Sequence, residues 1–141
     1  MKTKKILLGL LGFAILGIGS ALYMYNKPHK NYQKLKPDFV ISAEQLCKEF
    51  EQNEENANAK YLDKMILVSG KISSIKKTPD GDVSISLKDD MFGITCTIDA
   101  EIALQQKAII SPLKPGDNIE IKGRCDGRLT DVRLSKCSLV N

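Results

Sequence analysis

Residues 65–78, with the sequence MILVSGKISSIKKT, constrain the fold of this chain more than any other segment. The apolar residues alternate with polar ones and predict one long strand, in which Ile66, Val68 and Ile72 share a face with Gly70. A glycine inside a strand usually marks a bulge or a tight bend, because a residue without Cβ lets the backbone turn sharply. We therefore expect the strand to bend at Gly70 and to pair at both ends, as a small closed barrel requires.

The net charge of the chain is unevenly distributed. The formal charge of +4 over 141 residues would suit a nucleic-acid or membrane partner. Residues 1–36, however, contain seven lysines and no acidic residue, whereas residues 37–141 contain 14 Lys plus Arg against 17 Asp plus Glu. The basic excess therefore belongs to the amino-terminal end of the chain.

An uncharged apolar run occupies residues 6–25 and follows three lysines, Lys2, Lys4 and Lys5. About 20 apolar residues are needed to cross a bilayer, whereas the apolar core of a signal peptide usually has about 7 to 15. We predict that residues 1–25 are an uncleaved single-pass membrane anchor. A cleaved signal peptide is the alternative, because small residues suited to processing are present at Gly19, Ser20 and Ala21.

The segment after the apolar run predicts a tether. The predicted tether, residues 26–41, contains Pro28 and Pro37, and residues 26–38 show no apolar periodicity. A short basic head before the first apolar run is the usual start of an export signal, and long domains translocate largely regardless of their charge. We therefore expect the rest of the chain to lie outside the cytoplasm, in the periplasm or at the cell surface.

Residues 42–60 predict an amphipathic helical segment. Ser42 followed by Gln45 fits a capping box at a helix start. Apolar residues then recur at helical spacing: Ala43, Leu46, Cys47, Phe50, Ala57 and Tyr61. This stripe predicts core packing along one face, with a break near Asn53, where helix propensity weakens.

Residues 61–141 predict a five-stranded barrel domain. Alternating patterns place four further strands at residues 83–88, 94–98, 118–125 and 131–140. Asp99 can cap a helix over residues 100–110, between the third and fourth strands. Asp126 and Gly127 predict the turn into the last strand, and a change of parity between Leu134 and Cys137 predicts a bulge near Ser135 or Lys136.

This element order is that of an OB-fold. The predicted architecture is an all-β core, α+β overall, with a helix between strands three and four. An amphipathic helix and an amino-terminal transmembrane helix precede the barrel.

Short motifs spread over residues 61–140 resemble one protein family. They are Ile66, Val68, Gly70; Phe92, Gly93, Ile94, Thr95, Cys96; Leu113, Lys114, Pro115, Gly116, Asp117; Gly123, Arg124, Cys125, Asp126, Gly127; and Asp131, Val132, Cys137. In these motifs the chain is similar to the tRNA-anticodon-binding-like (tRNA_anti-like) family of small bacterial exported or membrane-anchored proteins. The resemblance implies an OB barrel in a membrane-tethered protein, and nucleic-acid binding by analogy of fold.

The four cysteines predict no metal site. Cys47, Cys96, Cys125 and Cys137 form no C-x-x-C pair, and their separations fit no common zinc framework. An exported domain permits disulfides, and strand three lies beside strand five in an OB barrel. Cys96 with Cys137 is therefore the preferred pair for a disulfide, and small buried thiols without a disulfide are the alternative.

The first functional hypothesis is binding of single-stranded nucleic acid or an oligosaccharide on the face of the second and third strands. The candidate binding residues are Lys76, Lys77, Ser84, Ser86, Lys88, Thr95, Thr97 and Arg128. Single-strand binders stack bases on aromatic rings at roughly 1 to 3 kcal/mol each. After Tyr61 the only aromatic residue is Phe92, and residues 61–141 hold 12 Lys plus Arg against 11 Asp plus Glu. Nucleic acid is therefore possible but disfavoured.

Two other hypotheses are a protein-interaction module in the cell envelope and an enzyme. Asp89 and Asp90, with Asp99, could in principle hold a divalent ion for hydrolysis. Paired aspartates in a turn are more often solvated, and no nucleophile, base and orienting group stand at recognisable spacings. We predict a non-enzymatic membrane-tethered binding or interaction module, with no catalytic residue, metal or cofactor and with an envelope protein as a possible partner.

Overall fold

The computed structural model of the protein describes residues 2–25, 31–87 and 92–140, with side chains described from Gly12 onward. The chain forms two compact units, Met1–Lys30 and Asn31–Asn141. The first unit contains helix α1, Lys2–Tyr25. Among the described residues, no helix has both the length and the apolar character needed to span a membrane. The predicted membrane crossing is therefore not shown, and the side chains of residues 6–11 lie outside the described part of the run.

The second unit contains six strands and four α-helices among its described residues. The strands are β1 Phe39–Ser42, β2 Met65–Lys77, β3 Val83–Leu87, β4 Ile94–Ile98, β5 Asn118–Arg128 and β6 Val132–Leu139. The helices are α2 Ala43–Gln52, α3 Glu54–Tyr61, α4 Ala100–Gln105 and α5 Lys107–Ile110, with a 3-10 helix at Tyr32–Lys34.

Five of the strands close into a barrel. The strand order is β1-β2-β3-β4-β6-β5, and an additional pairing between β2 and β5 closes the ring, leaving β1 outside it. The interior is filled by apolar side chains from every barrel strand, among them Val68, Ile85, Ile94, Ile121 and Leu134. The predicted five-stranded barrel with helices between its third and fourth strands is confirmed, and it is the arrangement of an OB-fold.

Strand β2 pairs at both ends, as predicted, but not because it bulges at Gly70. Its first half pairs with β5 and its second half, from Ile72, pairs with β3. The irregularity lies between Ile72 and Ser74, whereas Gly70 is in regular register with Ile119. A Cβ on Gly70 would lie 2.8 Å from Cβ of Ala43, the first residue of α2. Gly70 is therefore needed for close packing of this helix on the strand, and it marks no bulge in the pairing of β2 with β5.

Part of the predicted tether is folded against the barrel. Strand β1 runs parallel to the first half of β2, with Phe39 opposite Ile66. The Nζ of Lys122 on β5 donates hydrogen bonds of 2.7 Å to the carbonyl oxygens of Gln33 and Leu35. Strand β1 has only four residues, of which the first three are apolar, and so short a segment does not stand out as a strand pattern. Residues 26–30 of the predicted tether lie outside the described residues.

The predicted turn at Asp126–Gly127 is instead a bulge within β5. Cys125 pairs with Leu134 and Arg128 with Val132, so β5 has one more residue than β6 between these pairs. Gly127 has a φ of +86°, which glycine adopts without the steric penalty of a Cβ. The chain therefore reverses after Arg128, beyond the predicted turn.

A second bulge lies in β6 and confirms the prediction. Between the pairs Arg124–Ser135 and Lys122–Ser138, β6 has one residue more than β5. Lys136 has a φ of +53°, as expected for the extra residue of a bulge. The bulge explains why Leu134 and Cys137 are both buried although their spacing is odd.

The helices follow the predicted segments with two differences in detail. As predicted, the amphipathic segment breaks at Asn53. The side chain of Asn53 accepts a hydrogen bond from the N–H of Asn56. The predicted helix over residues 100–110 is divided into α4 and α5. Its first N–H, from Ala100, donates to Asp82 at 2.8 Å, whereas Asp99 pairs with Lys136. Asp99 therefore occupies the cap position without capping through its side chain.

Candidate ligand-binding face

The outer surface of β3, β4 and their neighbours carries seven polar side chains in register, which we call the hydroxyl face. Its members are Ser74, Lys76, Ser84, Ser86, Thr95, Thr97 and Arg133. The strand pairings align them in two rows. One row is Lys76, Ser84 and Thr97, and the other is Ser74, Ser86, Thr95 and Arg133. With neighbouring strands about 4.8 Å apart, the longer row spans roughly 14 Å.

Strict alternation on β3 and β4 produces the centre of this face. Buried and half-buried residues alternate along both strands, with Ile85 and Cys96 fully buried between the hydroxyl-bearing positions. Because successive side chains of a strand point to opposite sides, filling the barrel with apolar residues leaves the serines and threonines outside. The polar face is therefore fixed by the same pattern that builds the core.

The bulge in β2 adds Ser74 and Lys76 to the face. Ile75 pairs with Ile85 and is partly buried against the core. In a regular strand Ile72 and Ile75 would lie on opposite sides, so the irregularity between Ile72 and Ser74 is what directs Ser74 and Lys76 outward. The spacing of three between two isoleucines was the sequence signal for this bulge.

The hydroxyls of the face differ in how they are held. Thr95 Oγ1 donates to Asp131 Oδ2 at 3.1 Å, and Asp131 Oδ1 accepts from the N–H of Gly93 at 3.2 Å. Within the described residues, Ser84, Ser86 and Thr97 form no side-chain hydrogen bond, so these hydroxyls can still donate to and accept from a ligand.

The charge of the face is positive at its flanks. Lys76 on β2 and Arg133 on β6 are exposed on opposite sides of the central hydroxyls. Neither strand β3 nor strand β4 contains an acidic residue. A ligand lying across the strands would meet a cation near each end and hydroxyl groups between them, of which that of Thr95 is bonded to the Asp131 carboxylate.

Two predicted binding residues, Lys77 and Arg128, do not join the face. Lys77 pairs with Val83 and lies beside α4, next to Leu104. Lys88 lies outside the described residues. Arg128 stacks on Phe92, with Cζ 4.1 Å from the ring centroid.

Arg128 instead connects the barrel to the helices before it. Its Nη1 donates to the carbonyl oxygen of Phe50 at 3.4 Å and lies 3.8 Å from Glu54 Oε2. The guanidinium therefore attaches the end of β5 to α2 and α3. Its position explains why Phe92, the one aromatic residue after Tyr61, does not form a free stacking surface.

Sequence reasoning missed Ser74 and Arg133. Arg133 lies between the buried residues Val132 and Leu134, and this alternation was a signal that it points outward. The sequence could not show that Arg133 lies beside Thr95, because the β4–β6 register depends on long-range pairing.

Of the three carboxylates considered for metal-assisted hydrolysis, only Asp99 belongs to the part of the chain that the structure describes. Asp89 and Asp90 lie outside the described residues, and Asp99 forms an ion pair of 2.6 Å with Lys136. No group of three or more His, Cys, Asp or Glu side chains suited to a metal ion occurs among the described residues. The chemistry that the hydroxyl face offers is hydrogen bonding and attraction of negative charge.

The closed barrel, its helical insertion between β4 and β5 and the crossing pairings of β2 define the second unit as an OB-fold. The tRNA_anti-like family model matches residues 1–139. The chain therefore belongs to the tRNA_anti-like family, as its motifs indicated. A comparison with curated proteins found no significant match.

Three solved structures resemble this chain at low sequence identity. The crystal structure of a "putative nucleic acid-binding lipoprotein" from Klebsiella pneumoniae is 20% identical, with a TM-score of 0.58, covering 72% of this chain and 91% of that chain. An Entamoeba histolytica asparaginyl-tRNA synthetase is 16% identical, with a TM-score of 0.43, over 56% of this chain and 21% of that chain. A chain of the S. pombe Stn1-ten1 complex is 14% identical, with a TM-score of 0.43, over 55% and 58%.

Proposed function

We propose that this protein is a non-enzymatic binding module that holds an extended, negatively charged oligosaccharide on its hydroxyl face. The observation that carries the proposal is the alignment of Ser84, Ser86, Thr95 and Thr97 on two adjacent strands, with Lys76 and Arg133 at the flanks. A sugar chain presents many hydroxyls, which pair with side chains that can both donate and accept. The flanking cations favour a chain that carries anionic groups.

The second candidate ligand is single-stranded nucleic acid on the same face. The description of the Klebsiella protein as nucleic acid-binding supports it, and the phosphate backbone would also be attracted to Lys76 and Arg133. No aromatic residue occurs in β2, β3, β4 or β6, and Phe92 is covered by Arg128. Base stacking, which single-strand binders use at roughly 1 to 3 kcal/mol per base, therefore has no surface here. The lack of a surface for base stacking favours the oligosaccharide as the ligand.

We further propose that the apolar run at residues 6–25 tethers the module to a membrane, with the barrel outside the cytoplasm. Its length and its basic head support this placement. The Klebsiella protein, which is described as a lipoprotein, is consistent with a role in the cell envelope. Membrane fractionation with protease accessibility in intact and opened cells tests the tether; a soluble cytoplasmic protein would overturn it.

The binding test compares three fluorescent probes of similar length at low and high salt. They are a sulfated dextran oligosaccharide, a neutral dextran oligosaccharide and a single-stranded oligothymidylate. We expect the sulfated probe to bind tightest, with affinity that falls as salt rises. The double variant Lys76→Ala/Arg133→Ala should bind it about tenfold more weakly, because each exposed ion pair contributes up to about 1 kcal/mol.

The matched control is Lys107→Ala/Lys114→Ala, which removes the same charge from exposed positions on α5 and the turn after it. It should bind like the wild type. An equal loss in the control would mean that only net charge matters. Tighter binding of the oligothymidylate would support the second candidate, and absence of binding to all three probes would contradict a role for the face in binding these polymers.

A further inference from the structure

Two cysteines meet inside the barrel, where β4 lies parallel to β6. Cys96 pairs across these strands with Leu134, and both side chains face the interior. Regular alternation after Leu134 would direct Cys137 outward, but the bulge at Lys136 returns it to the interior, where it is fully buried. The N–H of Thr97, the residue after Cys96, donates to the Cys137 sulfur. The Cys96 thiol is itself within hydrogen-bonding reach of Cys137.

The neighbouring strand leaves room for this pair of sulfur atoms. A Cβ on Gly123 of β5 would overlap Cys137 Sγ and would lie 3.2 Å from both Cβ of Leu134 and the carbonyl oxygen of Ser135. Any side chain at position 123 would displace the Cys137 sulfur. The glycine and the bulge thus both place Cys137 beside Cys96.

We propose that Cys96 and Cys137 form a disulfide that joins β4 to β6 when the protein folds in an oxidising compartment. In the structure both are free thiols. The bond requires a disulfide-carrying oxidant, such as glutathione disulfide or a thiol–disulfide oxidoreductase. The thiolate of one cysteine attacks the oxidant and forms a mixed disulfide, releasing one oxidant thiol. The second cysteine loses its proton, displaces the remaining oxidant sulfur and forms the Cys96–Cys137 bond.

The interior position determines when the bond can form. Burial raises the pKa of Cys137 well above its usual value, and the neighbouring Cys96 thiol raises it further. A protonated and inaccessible thiol is a poor nucleophile. The exchange therefore takes place before the barrel closes, and the bond, once enclosed, resists external reductants.

Cys125 provides the internal comparison. It is also buried, and burial raises its pKa, yet it lies on β5, opposite Leu134. The Cys125 sulfur accepts a hydrogen bond from the backbone N–H of Gly127, whereas the Cys137 sulfur lies beside Cys96.

The test maps disulfides in the full-length protein in detergent. Reduced and denatured protein is refolded in a mixture of glutathione and glutathione disulfide, free thiols are alkylated under denaturing conditions, and a non-reduced digest is analysed by mass spectrometry. We expect the predominant cross-linked peptide pair to contain Cys96 and Cys137, with a mass lower by two hydrogen atoms than the sum of the reduced peptides. Cys125→Ser should keep this pair, and Cys96→Ala should lose it and leave Cys137 alkylated.

The disulfide map of the wild-type protein tests the proposal, so the test does not depend on whether a variant folds. Circular dichroism on the same sample confirms that the refolded barrel is native. Folded protein in which Cys96 and Cys137 are both alkylated, or in which either is joined to another cysteine, would overturn the proposal. Native protein purified under reducing conditions should in addition protect both thiols from alkylation until denaturant is added.

Discussion

At the scale of single residues, close contacts with neighbouring elements explain why positions 70 and 123 are glycines. The sequence pattern alone could not show these contacts. Gly70 lies in a regular strand, and its hydrogen atom faces Ala43. Gly123 faces Cys137. In both cases a neighbouring element approaches too closely for a Cβ, and close approach is a recognised reason for a glycine inside a strand, as is a bulge.

Gly70→Ala tests the contact between β2 and α2. The added Cβ would lie 2.8 Å from Cβ of Ala43, so α2 must shift or the strand must distort. We expect a loss of about 1 to 3 kcal/mol in the free energy of unfolding, typical of overpacking. Ala43→Gly alone should cost about 1 kcal/mol as a helix substitution.

The double variant Gly70→Ala/Ala43→Gly provides the control, because it removes the Cβ that the new methyl group meets. Its stability, measured by urea denaturation, should exceed the value obtained by adding the two single losses. Strict additivity of the two losses would show that the Gly70–Ala43 contact does not limit this site.

Single residues also show which positions could be predicted from the sequence and which could not. Ser84, Ser86, Thr95 and Thr97 could be placed on one face because alternation with buried residues fixes their side of the strand. Arg128 could not be placed, since its partners Phe92, Phe50 and Glu54 are distant in sequence. Local pattern predicts the side of a strand, whereas long-range contacts decide which polar residue is used in packing.

At the scale of elements, bulges account for most of the differences between the predicted and observed strands. The bulge in β6 was predictable because two buried residues, Leu134 and Cys137, have opposite parity. The bulge at Gly127 has the sequence of a turn, because Asp-Gly is also a strong signal for a hairpin. Helices α2 and α3 were predictable from their apolar stripe and from the break at Asn53.

A polar cluster joins α2 to α3 and predicts a dependence of stability on pH. Glu49 Oε2 accepts hydrogen bonds from Lys60 Nζ at 2.9 Å and from Tyr61 Oη at 2.8 Å. The Lys60 hydrogen bond, opposed by burial and aided by Tyr61, lowers the pKa of Glu49 below its usual value of 4.5. The stabilisation from this carboxylate is therefore complete above about pH 4.5 and is lost as the pH falls through the lower folded-state pKa.

We expect Glu49→Gln to lower the free energy of unfolding by about 1 kcal/mol or less at pH 7, since the cluster is partly exposed. The difference from the wild type should shrink as the pH falls below about 4.5, because wild-type Glu49 then becomes protonated. Urea denaturation between pH 7 and pH 3 measures this difference in the free energy of unfolding. Glu51→Gln, which changes an exposed carboxylate of the same helix, is the control, and an identical pH profile for both variants would contradict the prediction.

At the scale of the whole molecule, the topology followed from the sequence because each barrel strand has its own alternating pattern. Five strands with helices between the third and fourth admit few closed arrangements, and the OB-fold is the common one. Strand β1 was missed, since a four-residue strand that adds to a barrel from outside has little pattern of its own. It pairs with β2 in parallel, and such pairing depends on the approach of residues far apart in the chain.

The triple pairing of β2 predicts the order in which backbone amides exchange with solvent deuterium. Its first half is hydrogen-bonded to β1 on one side and β5 on the other, and its second half is bonded to β3. We expect amides of β2 near Ile66 and Val68 to exchange slowest in the protein, with amides of β1 exchanging much faster, as measured by NMR in deuterium oxide. Slower exchange in α2 or β6 than in β2 would contradict this order.

If the order holds, partial opening of the molecule releases β1 while the barrel stays closed. The amides near Ile66 and Val68 then become accessible only when both β1 and β5 separate from β2, which opens the barrel, so their exchange reports complete unfolding. A ligand that binds the intact barrel would slow these amides as much as it stabilises the fold, even though it touches none of them. Deuterium uptake at Ile66 can therefore be used to screen for the ligand of this protein, wherever on the barrel that ligand binds.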